Sequence, residues 1–212
     1  LVDGLQTRQD HNNHHFEMVS VYNTVIDAIK ESVKKLDISL IVMGTRGETD
    51  AMDFLYGSNA VDVMEKIENC PVLVVPDLSS LPEGVLGEIV FATNYKSPYY
   101  RQELEQMLEI SGSYKASIRF LFVGDNDSLS KEQEKNKEEL ELYFEHLPYS
   151  FHTLKNKKAV ACIHAFIERR SSELLVIYNR NHGFFKDFFS KSKRKEIGQK
   201  PLIPTLILKD LN

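Results

Sequence analysis

The chain has 212 residues, enough for one large domain or two ordinary ones, and 42% of them are hydrophobic, which allows a substantial core. Its formal net charge of −5 argues against a general nucleic-acid-binding protein, and no apolar run approaches the ~20 residues that span a bilayer. Two cysteines, Cys70 and Cys162, are too few for a disulfide scaffold and favour a reducing compartment, so we expect a cytoplasmic protein.

The first 76 residues alternate between strand and helix patterns after a polar opening segment. Asn23 is the expected N-cap of a helix over 24–36, whose apolar residues recur at helical spacing. The run 38–43 is almost continuously apolar, which is typical of a parallel strand that is covered on both faces. The predicted elements are strand 16–21, helix 24–36, strand 38–43, a helix beginning at Ser58 and strand 72–75.

The rest of the chain repeats this alternation. Residues 77–86 predict a linker, because they are mostly polar and contain Pro82 and Gly84. The predicted elements after it are strand 89–93, helix 99–110, strand 117–123, helix 131–146, strand 151–155, helix 159–170, strand 174–178 and strand 205–208. Apolar strands that alternate with helices predict an α/β fold built on a doubly wound parallel sheet.

An internal repeat relates the two parts of the chain. Residues 38–43 are similar to 173–178 at a displacement of 135, and 71–75 are similar to 204–208 at a displacement of 133. His15-Phe16 matches Ser150-Phe151 at 135, and Ser58 matches Ser192 at 134. Four anchors within two residues of one displacement indicate a duplicated domain.

The repeat divides the chain into unequal copies. The second copy begins near Glu88, which places the start of the first copy about 48 residues before Leu1. We therefore expect residues 1–76 to be the last half of a first domain, 77–86 a linker, and 87–212 a second domain. On this interpretation the first copy lacks two strands and two helices. The alternative is a first domain that is naturally shorter.

One loop of the first copy carries the pattern of a phosphate site. It reads Met43-Gly44-Thr45-Arg46-Gly47, then nine residues, then Gly57-Ser58-Asn59. It follows a parallel strand, where α/β sheets bind ligands, and it leads into a helix whose free N–H groups attract anions. Glycines let backbone N–H groups approach phosphate oxygens. Two glycines alone would indicate only a tight turn, but the whole pattern favours a di- or triphosphate ligand.

The stretch 37–76 resembles the universal stress protein family. The nucleotide motif of that family, Gly-x2-Gly-x9-Gly-(Ser/Thr), is matched by residues 44–58 at every position. The resemblance extends weakly over 87–212, as a tandem pair. It implies a Rossmann-like sheet of five parallel strands in each copy, related to the adenine nucleotide alpha-hydrolases. It also implies that the two sheets pair through their last strands, here 72–75 and 205–208, within one chain or in a homodimer.

The resemblance further implies ATP, with or without Mg2+, in the first copy. The implied nucleotide-binding residues are Met43, Gly44, Thr45, Arg46, Gly47, Gly57, Ser58 and Asn59. Arg46 could face phosphate or solvent, and Asp50 and Asp53 could help to hold Mg2+ through the phosphates, although solvated loop carboxylates are more common. The family also uses an Asp at the end of its first strand. That strand of the first copy is not in this sequence, so only half of the site is expected here.

The second copy departs from the family pattern. Asn94 stands where the family usually has Asp, and all three glycine positions of the motif are lost: Gly44, Gly47 and Gly57 become Asn179, His182 and Lys191. Phe184, Phe185, Phe188 and Phe189 would fill the space that phosphates need. We therefore predict that the second copy binds no ATP in the family's manner and is regulatory or structural.

Two other histidine and cysteine features carry weaker functional signals. His11, His14 and His15 could ligate a metal, but a solvated loop is favoured because their spacing is not a helical pair and no cysteine is near. Cys162 and His164 lie in a predicted helix, where core packing is the favoured role.

The basic stretch 186–200 could bind an acidic partner, a lipid surface or RNA. A solvated helix face is favoured for it, and its neighbouring phenylalanines are expected to pack against the sheet or a partner chain.

The leading hypothesis is a cytoplasmic stress-response regulator that binds an adenine nucleotide and changes conformation or protein partner, whose identity is open. No Walker-type lysine or committed general base indicates catalysis, although slow ATP hydrolysis stays possible. One alternative is a scaffold without nucleotide, in which both copies serve dimerisation and protein contact. Another is an enzyme of the wider alpha-hydrolase type with catalytic residues in a preceding segment. No nucleic-acid or membrane partner is expected.

Overall fold

The computed structural model describes residues 14–45, 58–76, 79, 86–124, 128–154, 159–179 and 203–211. The helices and strands in this part of the chain are α1 Val25–Leu36, β1 Ile41–Gly44, α2 Ser58–Lys66, β2 Val72–Val75, β3 Glu88–Thr93, α3 Arg101–Tyr114, β4 Ser117–Val123, α4 Lys131–Tyr143, β5 Tyr149–Leu154, α5 Ala159–Arg170, β6 Leu174–Asn179 and β7 Thr205–Lys209. Among these helices, none has the length and apolar character needed to cross a bilayer.

All seven of these strands form one sheet, in the order β1-β2-β7-β6-β3-β4-β5. The five strands of the second copy, β7-β6-β3-β4-β5, are mutually parallel, and so are β1 and β2 of the first copy. The predicted α/β fold with a Rossmann-like parallel sheet is confirmed. Five strands are present in the second copy, whereas the described part of the first copy holds two.

The two copies are joined by the antiparallel ladder between β2 and β7. Leu73 lies directly opposite Leu206 in this ladder, flanked by the pairs Val72–Ile207 and Val74–Thr205. Leu73 and Leu206 are also equivalent positions of the sequence repeat, 133 residues apart. A residue that faces its own repeat equivalent lies on a twofold axis, so the copies are related by a pseudo-twofold through this pair. The expected pairing of the last strands is thereby confirmed within one chain.

Helices cover both faces of the sheet, and the periodicity of their apolar residues decides which face each one buries. One core lies under α1, α2 and α5, with Val33, Met64 and Ile163 buried in it. The other lies under α3 and α4, with Leu104 and Leu140 buried in it. The first core contains residues of both copies, so the copies share packing as well as a ladder.

The start of α1 corrects one predicted cap. Thr24, rather than Asn23, is the N-cap: its Oγ1 accepts a hydrogen bond from the Asp27 N–H at 3.3 Å. Asn23 instead accepts from the Thr24 N–H through its own side chain at 2.8 Å. The helix ends at Asp37, whose left-handed φ of 51° turns the chain, and the Ile38 N–H still closes onto the Val33 carbonyl.

Because residue 38 still belongs to this helix end, the predicted strand 38–43 begins later than expected. Its first ladder contact is the Ile41 N–H to the Pro71 carbonyl at 2.9 Å, and the strand runs over Ile41–Gly44. Most other elements agree with their predicted bounds to within a few residues, and β4 and α5 agree at both ends. Most of the predicted linker 77–86 lies outside the described residues.

The predicted strand 16–21 is wrong. Residues 14–23 form no strand, and Met18 is 81% exposed. At the repeat displacement this segment corresponds to β5, which pairs only with β4 in the second copy. The described part of the first copy contains no counterpart of β4. The segment has a strand-like sequence, but no other described segment pairs with it, and an unpaired strand is not stable in water.

Leu206 provides a test of the joint. It is fully buried on the pseudo-twofold axis, so Leu206→Ala should lower the free energy of unfolding by about 2–5 kcal/mol, as large-to-small core substitutions do. Leu142→Ala is the matched control, because Leu142 on α4 is 67% exposed and its loss should cost less than about 0.5 kcal/mol. Urea unfolding measures both. Equal effects would contradict the buried joint.

Candidate functional site

The loop with the glycine motif leaves the sheet at the carboxyl end of β1. Gly44 is the last residue of this strand and lies beside Val75 of β2, with Met43 half-buried before it and Thr45 half-buried after it. Among the described residues, a Cβ built on Gly44 would meet only the Val75 carbonyl oxygen, at 3.9 Å, which is an ordinary contact. The packing of this described part of the fold therefore does not require glycine at the strand end.

The same loop ends at the start of α2. Ser58 is the first residue of this helix, Asn59 follows it on the exposed surface, and the first turn contains no acidic residue. The first turn of this helix therefore combines free N–H groups with the positive end of the helix dipole and carries no negative side chain of its own, which favours an anion. Arg46, Gly47 and Gly57, together with Asp50 and Asp53, lie outside the described residues. The described part of the site is the end of β1 and the start of α2.

In the second copy, the equivalent place is filled by tyrosines. The strand order reverses between β3 and β6, and ligands bind at such switch points in doubly wound sheets. Tyr178, near the end of β6, packs against Tyr99 with 5.5 Å between ring centroids. The Tyr99 hydroxyl is hydrogen-bonded to Thr93 at the end of β3, and the Tyr178 hydroxyl donates to the buried carboxylate of Glu103 at 2.5 Å.

The loop after β3 closes the remaining space. Tyr95 has a left-handed φ of 53° and stacks on Phe122 of β4, with 5.6 Å between ring centroids. Two amide side chains of α4 fix this loop: Gln133 donates to the Asn94 carbonyl and Asn136 to the Tyr95 carbonyl, both at 2.8 Å. Burial raises the pKa of Tyr95 far above its ordinary value. Among the described residues, these side chains and those of Tyr99 and Tyr178 occupy the crevice.

The prediction of an altered second copy rested on its lost glycines and on phenylalanines 184–189. Asn179 lies at the end of β6, where the first copy has Gly44, and His182, Lys191 and the phenylalanines lie outside the described residues. The tyrosines that fill the crevice were missed. A signal was present at one of them: Tyr178 stands at the repeat position of Met43, so a bulky ring replaces a flexible side chain next to the site.

The densest polar cluster described lies at the opposite, amino-terminal end of the sheet. The Glu88 carboxylate accepts hydrogen bonds at 2.7 Å from Arg119 Nε, from two nitrogens of Arg170 and from the Ser172 hydroxyl. All of its strong acceptor positions are therefore used within the protein. The cluster ties β3 and β4 to the end of α5, and its role is structural.

This cluster continues to the edge strand β5. Arg119 Nη1 donates to the Ser150 hydroxyl at 3.1 Å, and that hydroxyl lies 2.8 Å from His152 Nε2. The His152 ring packs edge-on against Phe166 of α5. Burial and the charges of Arg170 and Arg119 lower the pKa of His152, against the opposing effect of Glu88. A neutral imidazole that accepts from Ser150 fits this arrangement.

The predicted metal and core features are only partly described. His14 and His15 are exposed, His11 lies outside the described residues, and the described part of the chain holds no group of three or more potential metal-ligating side chains. Cys162 is half-buried with a free thiol, and His164 is half-buried beside it on α5. The basic stretch 186–200 is not described.

The family model of the universal stress proteins matches residues 3–76. Over those residues the chain is similar to the universal stress protein family. The match includes β1, the motif loop, α2 and β2, and it ends where the first copy ends. No curated protein matches the chain.

Solved structures share the fold of this chain over both copies. A universal stress protein from Archaeoglobus fulgidus DSM 4304 aligns with a TM-score of 0.61 at 16% identity, over 87% of this chain and 64% of that one. A putative universal stress protein from Pseudomonas aeruginosa UCBPP-PA14 aligns with a TM-score of 0.60 at 12% identity, over 90% of this chain and 70% of that one. A functionally unknown protein from Pseudomonas aeruginosa PAO1 aligns with a TM-score of 0.59 at 13% identity, over 90% of this chain and 69% of that one. The chain thus spans less than two thirds of the Archaeoglobus protein.

Two glycines test whether the motif loop is shaped by the fold or kept for a ligand. Gly44→Ala should change the free energy of unfolding by less than about 0.5 kcal/mol, because the added Cβ has room. Gly124→Ala is the contrast: its Cβ would lie 2.5 Å from Phe122 Cζ, in a ring held by Tyr95, and should cost about 1–3 kcal/mol. Thermal unfolding distinguishes them. A large loss in Gly44→Ala would assign that glycine to the fold.

Stability should depend on pH in two separate windows. The folded pKa of His152 is below its ordinary 6.5, so the unfolded chain takes up the proton first and stability falls as the pH drops below 6.5. Burial raises the pKa of Glu88, but hydrogen bonds from Arg170, Ser172 and Arg119 outweigh it and lower the pKa to about 2. The ionised Glu88 carboxylate therefore contributes its full stabilisation above pH 4.5, and this stabilisation is lost as the pH falls from 4.5 towards 2. Urea unfolding from pH 8 to 3 measures both.

The matched variants separate the two windows. His152→Gln should flatten only the loss that begins near 6.5, and Glu88→Gln only the loss that begins near 4.5. An unchanged pH profile in either variant would show that its side chain is not responsible.

Proposed function

We propose that the first copy binds an adenine nucleotide, ATP with or without Mg2+, through the loop between β1 and α2. The observation that carries the proposal is a complete Gly-x2-Gly-x9-Gly-Ser spacing over residues 44–58, in the stretch that matches the family model of the universal stress proteins. This loop joins a parallel strand end to a helix start without acidic residues, which is where both backbone N–H groups and the helix dipole favour phosphate.

In this proposal both ends of the loop contact the nucleotide. Met43, Gly44 and Thr45, followed by Arg46 and Gly47, approach the nucleotide from the strand end. Gly57, Ser58 and Asn59 offer N–H groups and a hydroxyl from the helix end. Asp50 and Asp53 lie in between, where carboxylates could hold Mg2+ through the phosphates.

The second copy is proposed to be structural or regulatory. Its switch point is filled by Tyr99 and Tyr178, and Tyr178 is held by Glu103, so the described conformation supports no nucleotide there. We therefore assign one nucleotide to each chain. The protein would act in the cytoplasm as a stress-response regulator that changes conformation or protein partner with the nucleotide, and not as an enzyme, with slow hydrolysis as a side reaction at most.

One observation favours a second candidate function. In the second copy, tyrosine side chains pack in the crevice and the last strand pairs with the first copy. Both features are what a dimerisation scaffold requires. If the first copy also binds no nucleotide, the protein is a scaffold for protein contacts.

Gly44→Val tests the nucleotide proposal. Its Cβ would make only an ordinary contact with the described residues, and its branched side chain would stand beside the backbone that we propose contacts the phosphates. The affinity for Mg-ATP in isothermal titration calorimetry should therefore fall at least about tenfold. Asn179→Val is the matched control, because Asn179 stands at the same strand-end position in the second copy. It should leave the affinity unchanged.

Each result that departs from this expectation has a distinct meaning. Equal affinity in Gly44→Val and the unmodified protein would remove the strand end from the site. A loss in Asn179→Val would place a nucleotide in the second copy. No binding by the unmodified protein would support the scaffold.

A further inference from the structure

The last strand of the second copy ends on a buried lysine that reaches the first copy. Lys209 is the final residue of β7, and only 1% of it is exposed. Its Nζ donates a hydrogen bond to the Met64 carbonyl of α2. Burying a cation is costly unless its position is fixed by acceptors and opposite charge, so this placement needs a compensating interaction.

The acceptor is one of the carbonyls that an α-helix cannot satisfy by itself. The helix α2 ends at Lys66, and the Val63 carbonyl still accepts from the Ile67 N–H at 3.1 Å. The Met64 carbonyl follows it in the last turn, where an α-helix supplies no further N–H partner of its own. A cation at this end also interacts favourably with the negative end of the helix dipole. Lys209 is therefore a C-terminal cap for α2, supplied by the other copy.

The opposite end of the same helix is the proposed phosphate-binding end. The helix has nine residues, so a shift or tilt imposed at Met64 is carried to Ser58 and Asn59 within two and a half turns. Lys209 thus holds the helix whose N–H groups would contact the nucleotide.

The contact is not reciprocated by the first copy. At the displacement of 133 that relates β2 to β7, the counterpart of Lys209 is Pro76, which has neither an ammonium group nor an N–H donor. The pseudo-twofold symmetry of the ladder therefore does not extend to this contact. Lys209 of the second copy caps a helix of the first copy, whereas the side chain and backbone nitrogen of Pro76 cannot donate such a hydrogen bond.

We propose that Lys209 is a positioning residue through which the second copy sets the nucleotide affinity of the first. The inference rests on the proposed function and deepens it. It also gives the second copy a role in a chain where its own crevice is filled.

The surroundings of Lys209 make the ammonium sensitive to pH. Burial lowers the pKa of Lys209 to about 8, against the opposing charges of Glu68, Cys70 and Glu65. Burial also raises the pKa of the neighbouring Cys70 thiol. The charged cap is therefore present at pH 7 and is lost as the pH rises through about 8.

The test compares Lys209→Met with Lys66→Met. Both remove an ammonium group from the end of α2, but Lys66 is half-exposed and pairs with Asp62 on the surface. Titration of the whole protein with Mg-ATP at pH 7 should show an affinity loss of about tenfold in Lys209→Met, and no more than about twofold in Lys66→Met. Amide hydrogen exchange over α2 should become faster in Lys209→Met only.

The pH profile separates positioning from general stability. Between pH 7 and 9.5 the affinity of the unmodified protein and of Lys66→Met should fall about threefold or more around pH 8, whereas Lys209→Met should have low and constant affinity. If Lys209→Met does not fold, the affinity of the unmodified protein between pH 7 and 9.5 is the test. An affinity for Mg-ATP that does not change over this range would overturn the inference.

The two levels of proposal fail differently. If the unmodified protein takes up no nucleotide, the proposed function fails and this inference falls with it. If the unmodified protein binds Mg-ATP and Lys209→Met binds it equally well at every pH, only the inference is overturned.

Discussion

The antiparallel ladder between β2 and β7 is the constraint on which the rest of the molecule depends. It joins two parallel sheets into one and fixes the pseudo-twofold axis at Leu73 and Leu206. Because residues of α2 and α5 share one core across this joint, the first copy is packed against the second. Half a parallel sheet exposes an edge, and here one of the two edges of the β1–β2 pair is covered by β7.

The two copies differ in the side chains around their equivalent strand ends. At the switch point of the second copy, Tyr99 and Tyr178 close the crevice and Glu103 satisfies the Tyr178 hydroxyl. The corresponding position of the first copy has Met43 and Gly44, and among the described residues a Cβ on Gly44 would make only an ordinary contact. A duplicated domain can change the residues around its strand ends without losing the fold, because function depends on sites carried by the fold. The buried Lys209 gives the second copy a direct contact with the first.

Much of the fold could be predicted from sequence because apolar runs and turn residues are local signals. The strand Val72–Val75 lies between two prolines and was placed correctly, and the repeat located its partner in β7. Strand 16–21 failed because pairing is not local: its sequence suits a strand, but no neighbouring strand is described.

The site was predictable only in its loop. Glycine spacing is readable in a sequence, whereas the contact of Tyr99 with Tyr178 joins residues far apart in the chain. From sequence alone, a lysine at a strand end, such as Lys209, is expected to be exposed to solvent. Its burial becomes apparent only when the position of α2 is known.

The most direct test of one working site per chain is a count of bound nucleotide. The purified protein, saturated with Mg-ATP and freed of excess ligand, is denatured, and the released small molecules are identified and quantified by mass spectrometry. The account predicts an adenine nucleotide at close to one equivalent per chain. Two equivalents would show that the tyrosine-filled crevice opens, and none would contradict nucleotide binding and leave the scaffold as the function.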